Sequence, residues 1–462
     1  MKKRNRLLAL LMTCFLLCTV MTPTAWAANS TSEIISKMNV DAKAALLVNL
    51  DTDAVLYDQD GDKTVYPASL TKVMTALVVL RHIEAGDLSM DDKVTAQEDS
   101  WDGLEWDASS QNIRPGETMS VEDLMQCMLV ASASEAANIL AQEVSGTVAD
   151  FVDEMNEVAV EIGCTDTNFE NPSGMPDEKQ VSTCYDLYRM GKEAMNYSQF
   201  RDIVQMDECY IDATNMSERR HFFNTNALLT NYRYLGYTYS ECIGIKTGST
   251  EAAGYCLMSA AERDGKTLLA VVMGCDNPTK ADGTVERKQF SESSRLLQWG
   301  FDNFTTLDIV DDTITYGSVQ VNLSTEADHV SVEADSNITA ELPKDITPDH
   351  FERNITLMKE VNAPVKKGQV LGTLTLTLDG EEYGSVNLVA INDVEASMLL
   401  VRKDQIQRLL SHWYVKALLV LVAVLVLFLV LRLTVFRGRR RYGGGGYGRH
   451  HSSYRGSRRR RR

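Results

Sequence analysis

The sequence predicts a mixed α/β (α+β) domain, an antiparallel sheet completed by distant stretches around a helical block. A second, small all-β sandwich-like domain and a C-terminal transmembrane helix follow it. Three observations carry this prediction. Extended patterns occur at residues 44–60 and again after Asn224, on either side of a run of helical patterns, so strands from both ends must meet in one sheet. Alternating β-rich runs replace the helical pattern after about residue 305. Residues 415–436 are apolar apart from Lys416 and Arg432, and 22 residues at 1.5 Å each reach about 33 Å, enough to cross a bilayer.

Taken in order, residues 1–27 carry Lys2, Lys3, Arg4 and Arg6 before an apolar stretch from Leu7 to Val20, then Ala25-Trp26-Ala27 at cleavage spacing. This is the pattern of a secretory signal peptide, with an uncleaved anchor as the alternative. Two short apolar runs around Asp51-Thr52-Asp53 form a hairpin. Pro67-Ala68-Ser69 leads into LTKVMTALVVLRHIEAG, a buried helix closed by Gly86. Helices are expected over about 121–130, 135–143, 148–162 and 185–197, then strands in ECIGIKTG and in GYCLMSAAERDGKTLLAVVMGC with a turn at Asp264-Gly265. A last helix ends near Phe304. The expected organisation is 1–27 signal, 28–304 first domain, 305–395 β-rich domain, 396–414 juxtamembrane linker, 415–436 transmembrane helix and 437–462 cytoplasmic tail.

The formal charge of -18 averages unlike parts. Both ends are purely basic, and the segment between them holds 29 basic against 64 acidic residues. A surface this acidic repels phosphate, which excludes a nucleic-acid partner there. Trp413 and Tyr414 sit where interfacial aromatics belong, and the twelve arginines from Arg432 to Arg462 place the tail in the cytoplasm. That tail is read as a stop-transfer flank, with contact to anionic lipid as the functional alternative. Of nine cysteines, seven remain without Cys14 and Cys18, an odd number that cannot all pair. No CxxC or Cys/His spacing points to a metal, and no cofactor is expected.

Chemistry needs a nucleophile with a base at fixed spacing. Only His82 and His221 occur between residues 28 and 305, and each reads as a satisfied or solvent-facing histidine, so a Ser-His-Asp triad is disfavoured. Ser69-Leu70-Thr71-Lys72 is the one SxxK, and i, i+3 spacing puts hydroxyl and amine on one helix face. Alone it is weak, because an N-capping serine with a snorkelling lysine gives the same pattern. Lys246-Thr247-Gly248, the one KTG, ends an apolar strand-like run, and the two motifs together mark penicillin-binding proteins and β-lactamases.

With those motifs, YPASLTKVMTALVVL, IRPGETMSVEDLMQCMLVAS, FENPSGMPD, FFNTNALL, GIKTGSTEAAGYCLMSAAERDG and LLQWGFDNF resemble, in order, the low-molecular-weight D-alanyl-D-alanine carboxypeptidases. VNAPVKKGQVLGTLTLTLDGEEYGSVNLVA resembles their β-rich C-terminal domain. The resemblance implies a serine penicillin-recognising domain and an acyl-serine mechanism. Ser69 attacks the bond between two terminal D-alanines of a peptidoglycan stem peptide, Lys72 is the base, and β-lactams acylate the same serine. Lys72 must be neutral to act, and burial together with the positive field of Lys246 is expected to make it so. The amides of Ser69 and Ser249 are expected to form the oxyanion hole. Lys246 and Thr247 hold the free carboxylate, and Gly248 lets the substrate backbone approach the strand edge.

The family's Ser-x-Asn is here Ser132-Ala133-Ser134, with Ser132 expected to relay a proton and Ser134 a shorter substitute for the amide. Ser110-Gln111-Asn112 fits the pattern literally but belongs to another feature, and Arg287 or Lys288 is more a surface charge than a further carboxylate ligand. A catalytically weak protein of the same fold that positions wall enzymes, and a β-lactamase, are the alternatives.

Overall fold

The computed structural model describes residues 32–435. The segment read as a signal peptide and the arginine-rich tail 437–462 lie outside the described residues. The chain forms two compact units: one takes the residues up to Ile314 with Ala334–Thr356 and Gly372–Asn387, the other takes Thr315–Glu333, Leu357–Leu371 and the chain from Leu388.

The first unit opens with the expected hairpin, β1 (Ala44–Asn49) and β2 (Val55–Gln59), then enters helix α1 (Thr71–Ala85) through a 3-10 turn over Ala68–Leu70. Gly86 closes α1 in the left-handed conformation, φ 84°, where a side chain would be strained. A short pair that the sequence reading did not foresee, β3 (Lys93–Thr95) and β4 (Thr118–Ser120), precedes the helical block. That block is α2 (Val121–Leu129), α3 (Ser134–Ser145), α4 (Val148–Glu161) and α5 (Cys184–Ala194), within a few residues of expectation, then a short α6 (Ser198–Val204). Ser120, Thr147 and Thr183 cap α2, α4 and α5 through their hydroxyls.

A small hairpin, β5 (Glu208–Ile211) and β6 (Arg220–Phe223), leads to the long strands β7 (Cys242–Thr250), β8 (Gly254–Arg263) and β9 (Lys266–Cys275). The five-stranded sheet has the order β2-β1-β9-β8-β7, antiparallel throughout, so the N-terminal hairpin joins strands some 200 residues away, as the sequence requires. The β8–β9 turn carries Asp264 and Gly265 at φ 53° and 78°. Helix α7 (Lys288–Asn303) ends where a strand, Phe304–Val310, begins and pairs with Ile338–Pro343.

Alternation along β9 sends consecutive leucines to opposite faces, and two glycines show what covers each. A Cβ at Gly300 of α7 would lie 2.9 Å from Leu268 Cδ1, and one at Gly191 of α5 would lie 3.0 Å from Leu269 Cδ1. The sheet is sandwiched, with α7 on one face and the helical block on the other. Helix α1 is buried from Thr71 to Leu80, which explains why its pattern is apolar almost all round.

In the second unit Thr315–Asn322 pairs antiparallel with the strand that starts at His329 and parallel with Glu360–Asn362. A helix, Met398–Ser411, fills most of the stretch read as a juxtamembrane linker. The apolar helix that follows, Trp413–Val435, has a mean hydropathy of 2.9 over Trp413–Leu433, and none of its apolar window is buried. It is long and apolar enough to cross a membrane.

Candidate active site

Ser69 sits in the 3-10 turn at the N-terminal end of α1, and Lys72 lies one turn further on, so local helical geometry alone brings the pair together. Lys72 Nζ is 3.1 Å from Ser69 Oγ, 3.3 Å from Ser134 Oγ and 2.5 Å from the Ser173 carbonyl oxygen. A neutral amine has two N–H groups and one lone pair. Donating to Ser173 and Ser134 leaves the lone pair for the Ser69 hydroxyl proton, which is the arrangement a general base needs.

Lys72 is wholly buried, and burial brings its amine from 10.5 down to about 7 against the upward pull of the Glu135 carboxylate. The sequence reading credited Lys246 with part of this. The repulsion between the two lysines is mutual, and Lys246 is held well below the ordinary lysine value by burial, by Lys72 and by Arg233. For Lys72, removal from water is the largest cause.

The backbone that holds Ser69 is strained. Ala68 adopts φ 47°, a left-handed conformation costly for a residue with a Cβ. Gly174 lies against it so closely that a Cβ there would be 2.0 Å from the Ala68 carbonyl oxygen. The turn around Gly174 is organised by Asn171 Oδ1, which accepts from the Gly174 and Met175 amides. Thr75 Oγ1 donates to the Pro172 carbonyl at 2.6 Å, and Gln180 Nε2 donates to Thr71 Oγ1. These ties fix the Ser173 carbonyl over the amine.

Strand β7 is an edge of the sheet and packs against the nucleophile turn. A Cβ at Gly248 would sit 3.1 Å from the Pro67 carbonyl oxygen and 3.3 Å from the Leu70 amide nitrogen. The glycine is therefore demanded by the protein's own turn, a different reason from the substrate approach that the sequence reading offered. Lys246 is buried and donates to the Thr247 carbonyl at 3.1 Å, Thr247 Oγ1 donates to Thr225 Oγ1 at 2.7 Å, and Ser249 is exposed on the edge.

At the start of α3 the two serines differ. Ser132 is buried at φ 66°, and the hydrogen bonds of Lys72 do not include it, whereas Ser134 is in contact with the amine. Glu135 beside it accepts from Ser110 Oγ and the Gln111 amide, so Ser110-Gln111-Asn112 is tied to α3 rather than to the amine. Sequence reasoning missed the Ser173 carbonyl, the charge of Glu135 and Arg233; only FENPSG, quoted for its resemblance, pointed at the first.

The remaining candidates lie elsewhere. His82 bonds Glu154 and His221 bonds Glu208. Lys288 is paired with Asp41, and the Arg287 guanidinium lies 3.5 Å from the centre of the Tyr234 ring. Among the described residues no group of three His, Cys, Asp or Glu could hold a metal, and seven cysteines are buried free thiols. Burial pushes Cys164 and Cys209 up to about 12, where they are inert as nucleophiles.

Comparison with known proteins gives two family matches: D-alanyl-D-alanine carboxypeptidase over residues 29–277, and the C-terminal domain of penicillin-binding protein 5 over residues 304–396. The D-alanyl-D-alanine carboxypeptidase DacF of Bacillus subtilis is 29% identical over 78% of this chain and 87% of its own. DacA of Haemophilus influenzae, named for the same activity, is 32% identical over 78% and 87%. The solved structure of penicillin-binding protein 5 from Haemophilus influenzae, at 29% identity, covers 78% of this chain and 98% of its own with a TM-score of 0.59.

Proposed function

From the premise that the chain belongs to the D-alanyl-D-alanine carboxypeptidase family, as a low-molecular-weight penicillin-binding protein, we propose that Ser69 is the nucleophile and Lys72 the base that removes the terminal D-alanine of a peptidoglycan stem peptide. The observation that carries this reading is the buried Lys72 amine at 3.1 Å from Ser69 Oγ, half neutral near pH 7. The enzyme is a serine-type hydrolase, and β-lactams are read as acylating the same hydroxyl.

In the proposed reaction the Ser69 proton moves to Lys72 Nζ as Oγ attacks the carbonyl of the penultimate D-alanine. Negative charge develops on the carbonyl oxygen, for which the Ser69 amide at the helix start and the Ser249 amide on the strand edge are the proposed donors. Lys246 and Thr247 take the free carboxylate. A carboxylate there offsets the repulsion from Lys72 and Arg233, so substrate binding favours the charged form of Lys246 while Lys72 stays neutral. Ser132 is the proposed relay from Nζ to the leaving nitrogen, with Ser134 holding the amine in place. Water then resolves the ester with Lys72 again as base.

Residues 28–304 are proposed as the carboxypeptidase domain and 305–395 as the β-rich domain, supported by the extents of the two family matches. We further propose that residues 1–27 export the chain, that the apolar helix crosses the membrane once, and that the tail 437–462 stays in the cytoplasm with the catalytic domain outside. The apolar helix and the basic flank support this topology. Mass spectrometry of a synthetic pentapeptide ending in D-Ala-D-Ala tests the reaction: loss of one alanine that disappears in Ser69→Ala is expected. No loss from any such peptide overturns it.

A further inference from the structure

We propose that Arg220 is a positioning residue for the Lys72 base: by way of the segment 109–111 and Glu135, it governs the charge that meets the amine from the side of α3. The inference rests on the reading of Ser69 and Lys72 given above and adds to it a buried ion pair that lies outside the site.

Arg220 opens β6 and pairs with Glu117, which stands just before β4; Nη1 is 2.8 Å from Oε1, and Nη2 donates to Oε2 at 2.9 Å. Glu117 exposes none of its side chain and Arg220 exposes 11% of its own. Thr214 Oγ1 and the Arg114 amide also donate to the carboxylate. Desolvation offsets most of what such a pair gains, so stability alone is a weak reason for an arginine and a glutamate here.

The guanidinium reaches further. Its Nε donates to the Gln111 carbonyl at 3.1 Å, and the Gln111 amide donates to Glu135 Oε1 at 2.7 Å. Ser110 Oγ donates to the same oxygen at 2.9 Å, and the Ser109 carbonyl accepts the Ser134 amide at 2.8 Å. Two adjoining residues of α3 are thus held from the hairpin side, and Ser134 Oγ is in turn 3.3 Å from Lys72 Nζ. Glu135 is wholly buried, and among the described residues its Oε2 has no hydrogen-bond donor, so the donors to Oε1 balance its charge only in part. Burial opposes the charge on Lys72 and on Arg220; Glu135 favours it on both, after Glu117 in the case of Arg220. Signs therefore alternate inward, from Glu117 to Arg220 to Glu135, and end at an amine that must be neutral to act. Arg220 aims the Glu135 carboxylate through Gln111 and offsets its field at Lys72.

The test is second-order acylation of the full-length protein by a fluorescent penicillin from pH 5 to 9. The quantity read is the ratio of the rate at pH 6 to the plateau rate, in which a uniform loss from disturbed packing cancels. Facing Lys72 are Ser69, Ser134, the Ser173 carbonyl, Glu135 and Lys246; facing Glu135 are Ser110, the Gln111 and Ile113 amides, Arg220 and, from α2, Cys127. Arg220→Gln leaves Glu135 unbalanced, so the amine keeps its proton to higher pH and the ratio should fall about three-fold, as for a shift of about half a pH unit. Arg220→Lys keeps the charge and should restore the wild-type ratio. In a Glu135→Gln background, Arg220→Gln should leave the ratio where Glu135→Gln alone puts it. Because Arg220→Gln strands a buried Glu117, the double variant Glu117→Gln, Arg220→Gln removes the pair whole and should show the same fall. A ratio unmoved in Arg220→Gln and in that double variant, or one that falls equally in Arg220→Lys or in the Glu135→Gln background, overturns the inference. A wild-type rate that is flat across the range overturns the lysine base itself, and the inference with it.

Discussion

Acylation should titrate with Lys72. An ordinary lysine is only roughly 0.03% neutral at pH 7, whereas the buried Lys72 at about 7 is half neutral, a gain of roughly a thousand-fold in the active form of the base. The sign follows from the role: a base must be unprotonated, so the rate falls as pH drops through the Lys72 value and levels off above it. The groups acting on the amine are Ser69, Ser134, the Ser173 carbonyl, the Glu135 charge and, across the site, Lys246. Second-order acylation by a fluorescent penicillin, measured from pH 5 to 9, should therefore drop about ten-fold per pH unit below 7 and reach a plateau above it. Lys72→Arg, which cannot lose its proton, should acylate at least about a thousand-fold more slowly at every pH. A wild-type profile flat from pH 5 to 7, or one still climbing at pH 9, would refute the assignment of a desolvated lysine base.

Three other perturbations read other parts of the site. Glu135→Gln removes the charge that pulls Lys72 upward, so the acidic limb of the same profile should move to lower pH. Ser134→Ala deletes one of the amine's hydrogen bonds, about 1 kcal/mol, and should slow acylation roughly five-fold. Gly248→Ala sets a Cβ 3.1 Å from the Pro67 carbonyl and 3.3 Å from the Leu70 amide, which pushes the nucleophile turn by a few tenths of an ångström. Acylation should fall about ten- to a hundred-fold with a loss of only about 1–2 kcal/mol in stability by urea unfolding.

What could be read from the sequence was whatever is local. Ser69 and Lys72 lie within one turn of one helix, and Lys246 to Ser249 within one strand, so spacing alone predicts their faces. That distant stretches complete one sheet was legible, because strand patterns flank the helical block on both sides, but the order of the strands was not. The Ser173 carbonyl was not legible, since a backbone oxygen leaves no mark in residue type, and the turn that aims it is held from α1 by Thr71 and Thr75. Whether Ser132 or Ser134 meets the amine depends on the left-handed conformation at Ser132, which no propensity foretells for a serine. Arg233 arrives on a loop with no pattern, and the pairing of Phe304–Val310 with Ile338–Pro343 joins stretches whose alternation fits several partners.

The identity of the acylated atom is the most direct test of the whole account. Intact-mass measurement of the full-length protein after exposure to benzylpenicillin, followed by peptide mapping, should show one added penicillin on the peptide that contains Ser69, and none in Ser69→Ala. An adduct on any other peptide, or one that persists in Ser69→Ala, would contradict it.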